Sequence, residues 1–160
     1  MKKFGFLALI SALFLFTSCE EQEIGLIETQ SSLLTTPDLQ PQILSVPNVV
    51  TSTLNFEIRI HNNGVETTAP IVFYIQKMLP VASVAISDPN WTVVEQATRW
   101  KVTSNTGITI PELSFYELNA QFIPLAPGSA GLTVSVVSGT GGGEAPTNNN
   151  IAVKSEIVVQ

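Results

Sequence analysis

Apolar and polar residues alternate strictly along LNFEIRIHN. Leu54, Phe56, Ile58 and Ile60 share one face, and Asn55, Glu57, Arg59 and His61 share the other. A period of two marks a strand with one buried face. The pattern recurs in LSFYELNAQFI, where Tyr116, Leu118, Ala120 and Phe122 alternate with Glu117, Asn119 and Gln121. It recurs in LTVSVV, with Leu132, Val134 and Val136 set against Thr133, Ser135 and Val137. IAVKSEIVV reads as a last strand with Ile151, Val153, Ile157 and Val159 on one face. PIVFYIQKML is apolar on both faces, which predicts a central strand ended by Leu79–Pro80. VASVAIS, WTVV and TRWKV add short strands.

Turn chemistry separates these runs. HNNG offers Asn and Gly, which tolerate positive φ, and DPN at Asp88–Asn90 puts proline at the second position of a turn. PLAPGSAG reads as a loop, and SGTGGGEAPTNNN as a long polar connection. All ten prolines fall in loops, at strand ends or before the first strand, as sheet pairing demands. No helical period survives after Pro37. The expectation is an all-β domain over 37–160, a two-sheet sandwich of about seven to nine strands, with a small β-barrel as the alternative.

The first 36 residues follow other rules. Lys2 and Lys3 precede Phe4–Phe16, an uncharged run of thirteen residues. This has the parts of a secretory signal peptide over 1–18 and is shorter than the roughly 20 residues of a bilayer span. No other run approaches that length, so no transmembrane helix is expected in the mature chain. Leu15, Phe16, Thr17, Ser18 and Cys19 resemble a bacterial lipoprotein lipobox, although Phe16 is bulkier than the usual residue there. The resemblance implies that Cys19 is the lipidated first residue of the mature chain. Cys19 is the only cysteine, so no disulfide can form within the chain. Glu20, Glu21 and Glu23 follow at once. They resemble the surface-export signal of Bacteroidetes lipoproteins; the alternative is the start of a solvated tether. Residues 19–36 show no sustained period and read as that tether. An outer-membrane lipoprotein at the cell surface is expected, with a periplasm-facing one as the alternative.

Charge narrows the partners. The chain carries 13 acidic and 7 basic side chains, net −6. Loss of Lys2 and Lys3 with the signal peptide leaves 5 basic side chains and a net charge of −8. No clustered Lys and Arg are present to meet phosphates, which excludes nucleic acid and polybasic membrane contact. At this size the domain needs neither disulfide nor metal to fold.

Residues 37–160 resemble bacterial immunoglobulin-like surface modules, namely the cell-adhesion-related domain and the conserved-repeat domain of unknown function. The likeness lies in PDL at Pro37–Leu39, in FEIRIHNNGVETTAPIVFYI, in Leu79–Pro80 and in NNNIAVKSEIVV. IPELS departs from it where a glycine usually stands, and no internal repeat is present. The resemblance implies an immunoglobulin-like sandwich with a binding, adhesive or spacer role outside the cytoplasm, and no catalytic residues.

Candidate chemistry is thin. His61 is the only histidine, and it alternates out of the apolar face beside a turn, where it is solvated or turn-bonded. PGSAG at Pro127–Gly131 lacks the first glycine of a nucleophile elbow and joins two strands. GTGGGE at Gly139–Glu144 lacks the lysine and helix of a phosphate loop and reads as a flexible hairpin loop. Asp88 with Asn90, or Glu144 with Asn148–Asn150, offer oxygen to calcium but match no EF-hand spacing. Both sets read as Asx-turns, and no metal or cofactor is assigned. Trp100 and Tyr116 fall in phase with core positions; Trp91, next to a turn, is the aromatic expected to be exposed and the weak candidate for ligand contact. The reading is non-catalytic: a lipoprotein presenting an interaction or structural module to a protein or glycan partner. A glycan-binding lipoprotein for nutrient uptake and an enzyme are the alternatives.

Overall fold

The inward residues of LNFEIRIHN and LSFYELNAQFI meet directly, because these two strands pair antiparallel with Phe56 opposite Ala120 and Ile58 opposite Leu118. The computed structural model describes residues 35–77 and 81–160; the Leu79–Pro80 stop signal lies outside them. Ten strands follow one another: β1 (Leu39–Leu44), β2 (Val49–Val50), β3 (Leu54–Asn62), β4 (Val72–Gln76), β5 (Val81–Ile86), β6 (Trp91–Glu95), β7 (Arg99–Ser104), β8 (Ser114–Pro124), β9 (Gly128–Val136) and β10 (Ile151–Val159).

They form a four-stranded sheet, β1-β3-β8-β5, and a six-stranded sheet, β2-β10-β9-β4-β7-β6. Two separate sheets rule out the barrel, and the count of ten exceeds seven to nine partly because β2 is only two residues long. Pairing is antiparallel except between β2 and β10. The order matches the immunoglobulin layout of one ABED-like sheet against one carrying G, F and C. One crossing differs: after β4 the chain moves to the four-stranded sheet as β5, then returns through β6 and β7.

The core lies between the sheets. Phe56, Ile58, Ile60, Leu118 and Phe122 come from one side, and Phe73, Ile75, Trp100, Val102, Leu132 and Val134 from the other. Aromatic rings join the layers: Trp100 meets Phe122 at 5.8 Å and Trp91 meets Tyr116 at 5.5 Å between ring centroids. Burying one such large apolar side chain stabilises the fold by about 1.5–3 kcal/mol.

Four local expectations need correction. Residues Gly128–Gly131 belong to β9 rather than a loop, because they pair with the end of β10. Pro41 sits inside β1; this is an edge strand, so the missing N–H can face the open side. In HNNG neither Asn63 nor Gly64 takes positive φ. Glycine is needed there because the chain passes close by: a Cβ on Gly64 would stand 2.2 Å from the Thr36 carbonyl oxygen. Finally, Ile151 and Val153 do not share the face of Ile157 and Val159. Lys154 pairs with Leu132 but Ile157 with Ala130, so β10 carries one extra residue, with Glu156 at φ 64°. This bulge inverts the alternation. Ile157 and Val159 point into the core, while Ile151 and Val153 face solvent.

Asn62 closes one end of the sandwich. Its Nδ2 donates to the carbonyls of Val65 (2.7 Å) and Ile110 (2.9 Å), and its Oδ1 accepts from the N–H groups of Asp38 and Gly64, both at 3.1 Å. A fully buried amide saturated in this way fixes three chain segments relative to one another.

Candidate interaction surface

The two outer faces differ in chemistry. On the four-stranded sheet, polar side chains satisfy one another across strands. Arg59 and Glu117 stand opposite and make an ion pair at 2.5 Å, Gln121 donates to Asn55 at 3.1 Å, and the His61 ring lies 3.1 Å from the Gln42 amide oxygen. The Arg59 guanidinium also covers the Phe115 ring at 4.3 Å.

The six-stranded sheet presents another surface. Strand register places Ile151 opposite Ser135, Ser135 opposite Tyr74, Tyr74 opposite Lys101 and Lys101 opposite Val94. One row therefore crosses five strands. Val153 and Thr133 extend it on one side, and Val72, Thr103 and Thr92 on the other. Ile151 is 64% exposed, Val153 65% and Val94 51%. Short hydroxyl side chains, among them Ser135, Thr133 and Thr103, stand between them. The Arg99 guanidinium lies 3.5 Å over the Tyr74 ring. Neither Arg99 nor Lys101 has a carboxylate partner among the described residues. Contiguous exposed apolar surface is the mark of association sites.

The sequence made part of this row readable. PIVFYIQKML is apolar on both faces because Val72 and Tyr74 point outward from a central strand. Ile151 and Val153 were hidden by the bulge, and Val94 by the shortness of its strand.

The anticipated site residues fall elsewhere. Cys19, Glu20, Glu21 and Glu23 lie outside the described residues. Trp91 is not exposed: only 5% of it meets solvent, and it is wedged between Phe73 and Tyr116. The crossing from β5 to β6 aims its side chain inward, which a turn-adjacent position did not reveal. Trp100 is buried as well. Asp88 and Asn90 form an Asx-turn, with the Asn90 N–H donating to Asp88 Oδ1 at 2.8 Å. The other Asp88 oxygen accepts from the Tyr116 hydroxyl at 2.5 Å. The Tyr116 hydroxyl foremost, and then the Asn90 N–H, hold the Asp88 carboxyl below the usual carboxylate range. The same bond holds the Tyr116 phenol above its ordinary value.

The glycine-rich connection is not a free hairpin loop. Thr140–Gly143 form one tight turn, in which Gly141 and Gly142 take positive φ. Gly141 donates its N–H to the Pro70 carbonyl (3.1 Å) and accepts from the Thr68 N–H (2.8 Å). The Thr140 hydroxyl accepts from the Val72 N–H (2.7 Å) and donates to the Pro70 carbonyl (3.0 Å). The Ala145 N–H donates to the Pro37 carbonyl at 2.9 Å. Among the described residues no three His, Cys, Asp or Glu side chains cluster, and no helix is long and apolar enough to cross a membrane.

Compared with protein-family profiles and with curated protein sequences, the chain matches none. Solved structures are similar to it. One is the CARDB domain of PF1109 from Pyrococcus furiosus in solution, at 19% identity and a TM-score of 0.50, covering 77% of this chain and 94% of that one. The crystal structure of that domain in complex with di-metal ions is similar at 19% identity and a TM-score of 0.50, covering 79% of this chain and 91% of that one. A cohesin module from a Clostridium perfringens family 33 glycoside hydrolase aligns at 13% identity and a TM-score of 0.48, covering 78% and 98%. The strand order and the likeness to the CARDB domain together define the class: an immunoglobulin-like β-sandwich module.

Proposed function

We propose that the protein is a membrane-anchored lipoprotein whose sandwich binds a protein partner outside the cytoplasm, through the outer face of the six-stranded sheet. The carrying observation is the row Ile151–Ser135–Tyr74–Lys101–Val94, which leaves Ile151 and Val94 in water at its two ends, with Val153 beside Ile151. Lys101 and Arg99 add positive charge to that face, so the partner's contact surface carries carboxylates beside its apolar groups. Anchoring rests on the lipobox-like Leu15–Cys19, and surface exposure on Glu20, Glu21 and Glu23. The reading assigns no catalytic step: His61 is held by Gln42, and the lone cysteine belongs to the lipid signal. A sugar-stacking role has little support, because Trp91 and Trp100 are buried and Arg99 covers Tyr74.

A photo-cross-linking side chain placed at position 94 or 151 of the full chain in intact cells should yield protein adducts. The same side chain at position 119, on the outer face of the other sheet, should not. Equal adducts from both faces, or none from 94 and 151, would overturn the assignment. Cys19→Ser should abolish fatty-acid labelling; unchanged labelling would remove the lipid anchor from the reading.

A further inference from the structure

The β9–β10 connection buries a carboxylate. The Glu144 side chain follows the tight turn at Thr140–Gly143 into the end of the sandwich, where only 2% of the residue meets solvent. Neither of its carboxylate oxygens has a hydrogen-bond partner among the described residues. Asn150 is 5% exposed, and its amide oxygen and nitrogen are both unpartnered. Asn149 donates its Nδ2 to Asp38 Oδ1 at 2.7 Å, which leaves its own buried Oδ1 without a donor. Asp38 stands at the start of β1, and its negative charge acts on Glu144. Burial foremost pushes the Glu144 carboxyl above the usual carboxylate range, and the Asp38 charge adds to it; the Asn150 amide and the backbone N–H groups of Gly139 and Leu39 offset this only in part.

The balance of donors and acceptors decides what such a cluster needs. Four buried oxygens lack a donor: Glu144 Oε1 and Oε2, Asn149 Oδ1 and Asn150 Oδ1. The donors nearest them are the two N–H bonds of the Asn150 amide and the backbone N–H groups of Gly139 and Leu39, all beside the Glu144 carboxylate, with Gly139 already donating to the Glu144 backbone carbonyl. A proton on Glu144 could reach one of the two amide oxygens, Asn149 Oδ1 or Asn150 Oδ1, and would leave the other without a donor. Buried polar groups without partners are costly, and a buried carboxylate without one is costlier. A single cation meets all of these oxygens at once. Every candidate ligand atom is a hard oxygen, with no thiolate or imidazole among them, and two of the groups are carboxylates. That set suits calcium, which takes six to eight oxygens in flexible geometry, with water completing the shell. Magnesium demands a near-ideal octahedron and gives up its water reluctantly, so an irregular set of protein oxygens disfavours it.

We propose that Asp38, Glu144, Asn149 and Asn150 form a calcium-binding site that pins the β9–β10 connection to the start of β1. Glu144, Asn149 and Asn150, which the sequence offered as oxygen donors to calcium but which read there as Asx-turn groups, thereby become ligands. The ligands come from opposite ends of the domain's chain, so the ion ties segments that would otherwise part early in unfolding.

The test uses the full chain purified in detergent and stripped with EDTA. Calcium should bind with one-to-one stoichiometry in titration calorimetry. At a concentration about 100-fold above its Kd it should raise the melting temperature by several degrees. Glu144→Gln keeps the shape and removes the charge. In EDTA it should melt no lower than the wild type, and it should lose the calcium-dependent rise. Asp38→Asn should weaken calcium at least tenfold while the domain stays folded. A wild-type melting temperature unmoved by calcium, or a Glu144→Gln protein that responds as the wild type does, overturns the site. Equal affinity for magnesium overturns the choice of ion.

Discussion

Replacing Tyr116 with Phe removes one hydroxyl group and leaves the ring in place against Trp91, whose centroid lies 5.5 Å away. The hydroxyl donates to Asp88 Oδ2 at 2.5 Å. Asp88 shapes the turn through which the chain passes from β5 in one sheet to β6 in the other, and its backbone carbonyl accepts the Trp91 N–H at 3.1 Å. The bond therefore fastens β8 to the crossing from β5 to β6. A hydrogen bond to a charged group contributes about 1.5–3 kcal/mol when well shielded. Asp88 is only part-buried, and its carboxylate can rehydrate once the hydroxyl is gone. Solvent screening thus lowers the expected loss to about 1 kcal/mol, or roughly 3–4 °C in melting temperature for a domain of this size.

The pH dependence has a definite sign. The Asp88 carboxyl is held below its ordinary value, so its contribution is present above the unfolded carboxylate pKa and fades as pH falls through the folded one. The Tyr116 phenol is held above its ordinary value, so its contribution is present below the unfolded phenol pKa and fades as pH rises through the folded one. The wild-type advantage over Tyr116→Phe should form a plateau from about pH 5 to about pH 9 and shrink on both sides. Urea unfolding of the two proteins at pH 2.5, 7 and 11 measures it. A difference of the same size at pH 2.5 and pH 7, or no difference at pH 7, would refute the bond's role.

Two further predictions concern the frame. Gly64→Ala would drive a Cβ against the Thr36 carbonyl oxygen at 2.2 Å and the Asp38 nitrogen at 2.6 Å. Both are backbone atoms, so the domain should lose about 1–3 kcal/mol in chemical denaturation; an unchanged midpoint would show that the close approach is wrong. Ile157→Ala should cost about 2–4 kcal/mol, as truncation of a buried isoleucine does, whereas Val153→Ala should stay within about 0.5 kcal/mol. Comparable costs at the two positions would exclude the inversion of β10 at its bulge.

Much of the fold was legible because period-two alternation is a local property. Leu54–Ile60 and Tyr116–Phe122 occupy the faces their pattern implies, since each strand is regular along its length. The DPN turn forms where proline and the Asx side chain dictate. The pattern misled where one residue changed the phase. Ile151 and Val153 share the odd parity of Ile157 and Val159, and the extra residue near Glu156 separates them. Trp91 was misjudged because proximity to a turn does not tell which way the first residue of a strand faces. Glu144 and Asn148–Asn150 were visible in the sequence as oxygen donors suited to calcium, but they matched no known loop spacing and read as Asx-turns. Nothing in that stretch indicates that Asp38 lies beside it, because the pairing of β1 with β3 and the docking of Ala145 on Pro37 create that neighbourhood.

By itself, the sequence determined the alternating strands, the side chains able to form a core, and the lipobox-like stretch on which the proposed anchor at Cys19 rests. These depend on the order of residues within a few positions of one another. Only the tertiary structure decided which apolar residues stay in water as a row across five strands, and which acidic side chain is shut away from it. The reason is physical: register between strands and burial between layers arise from contacts between distant segments, and no local period carries them.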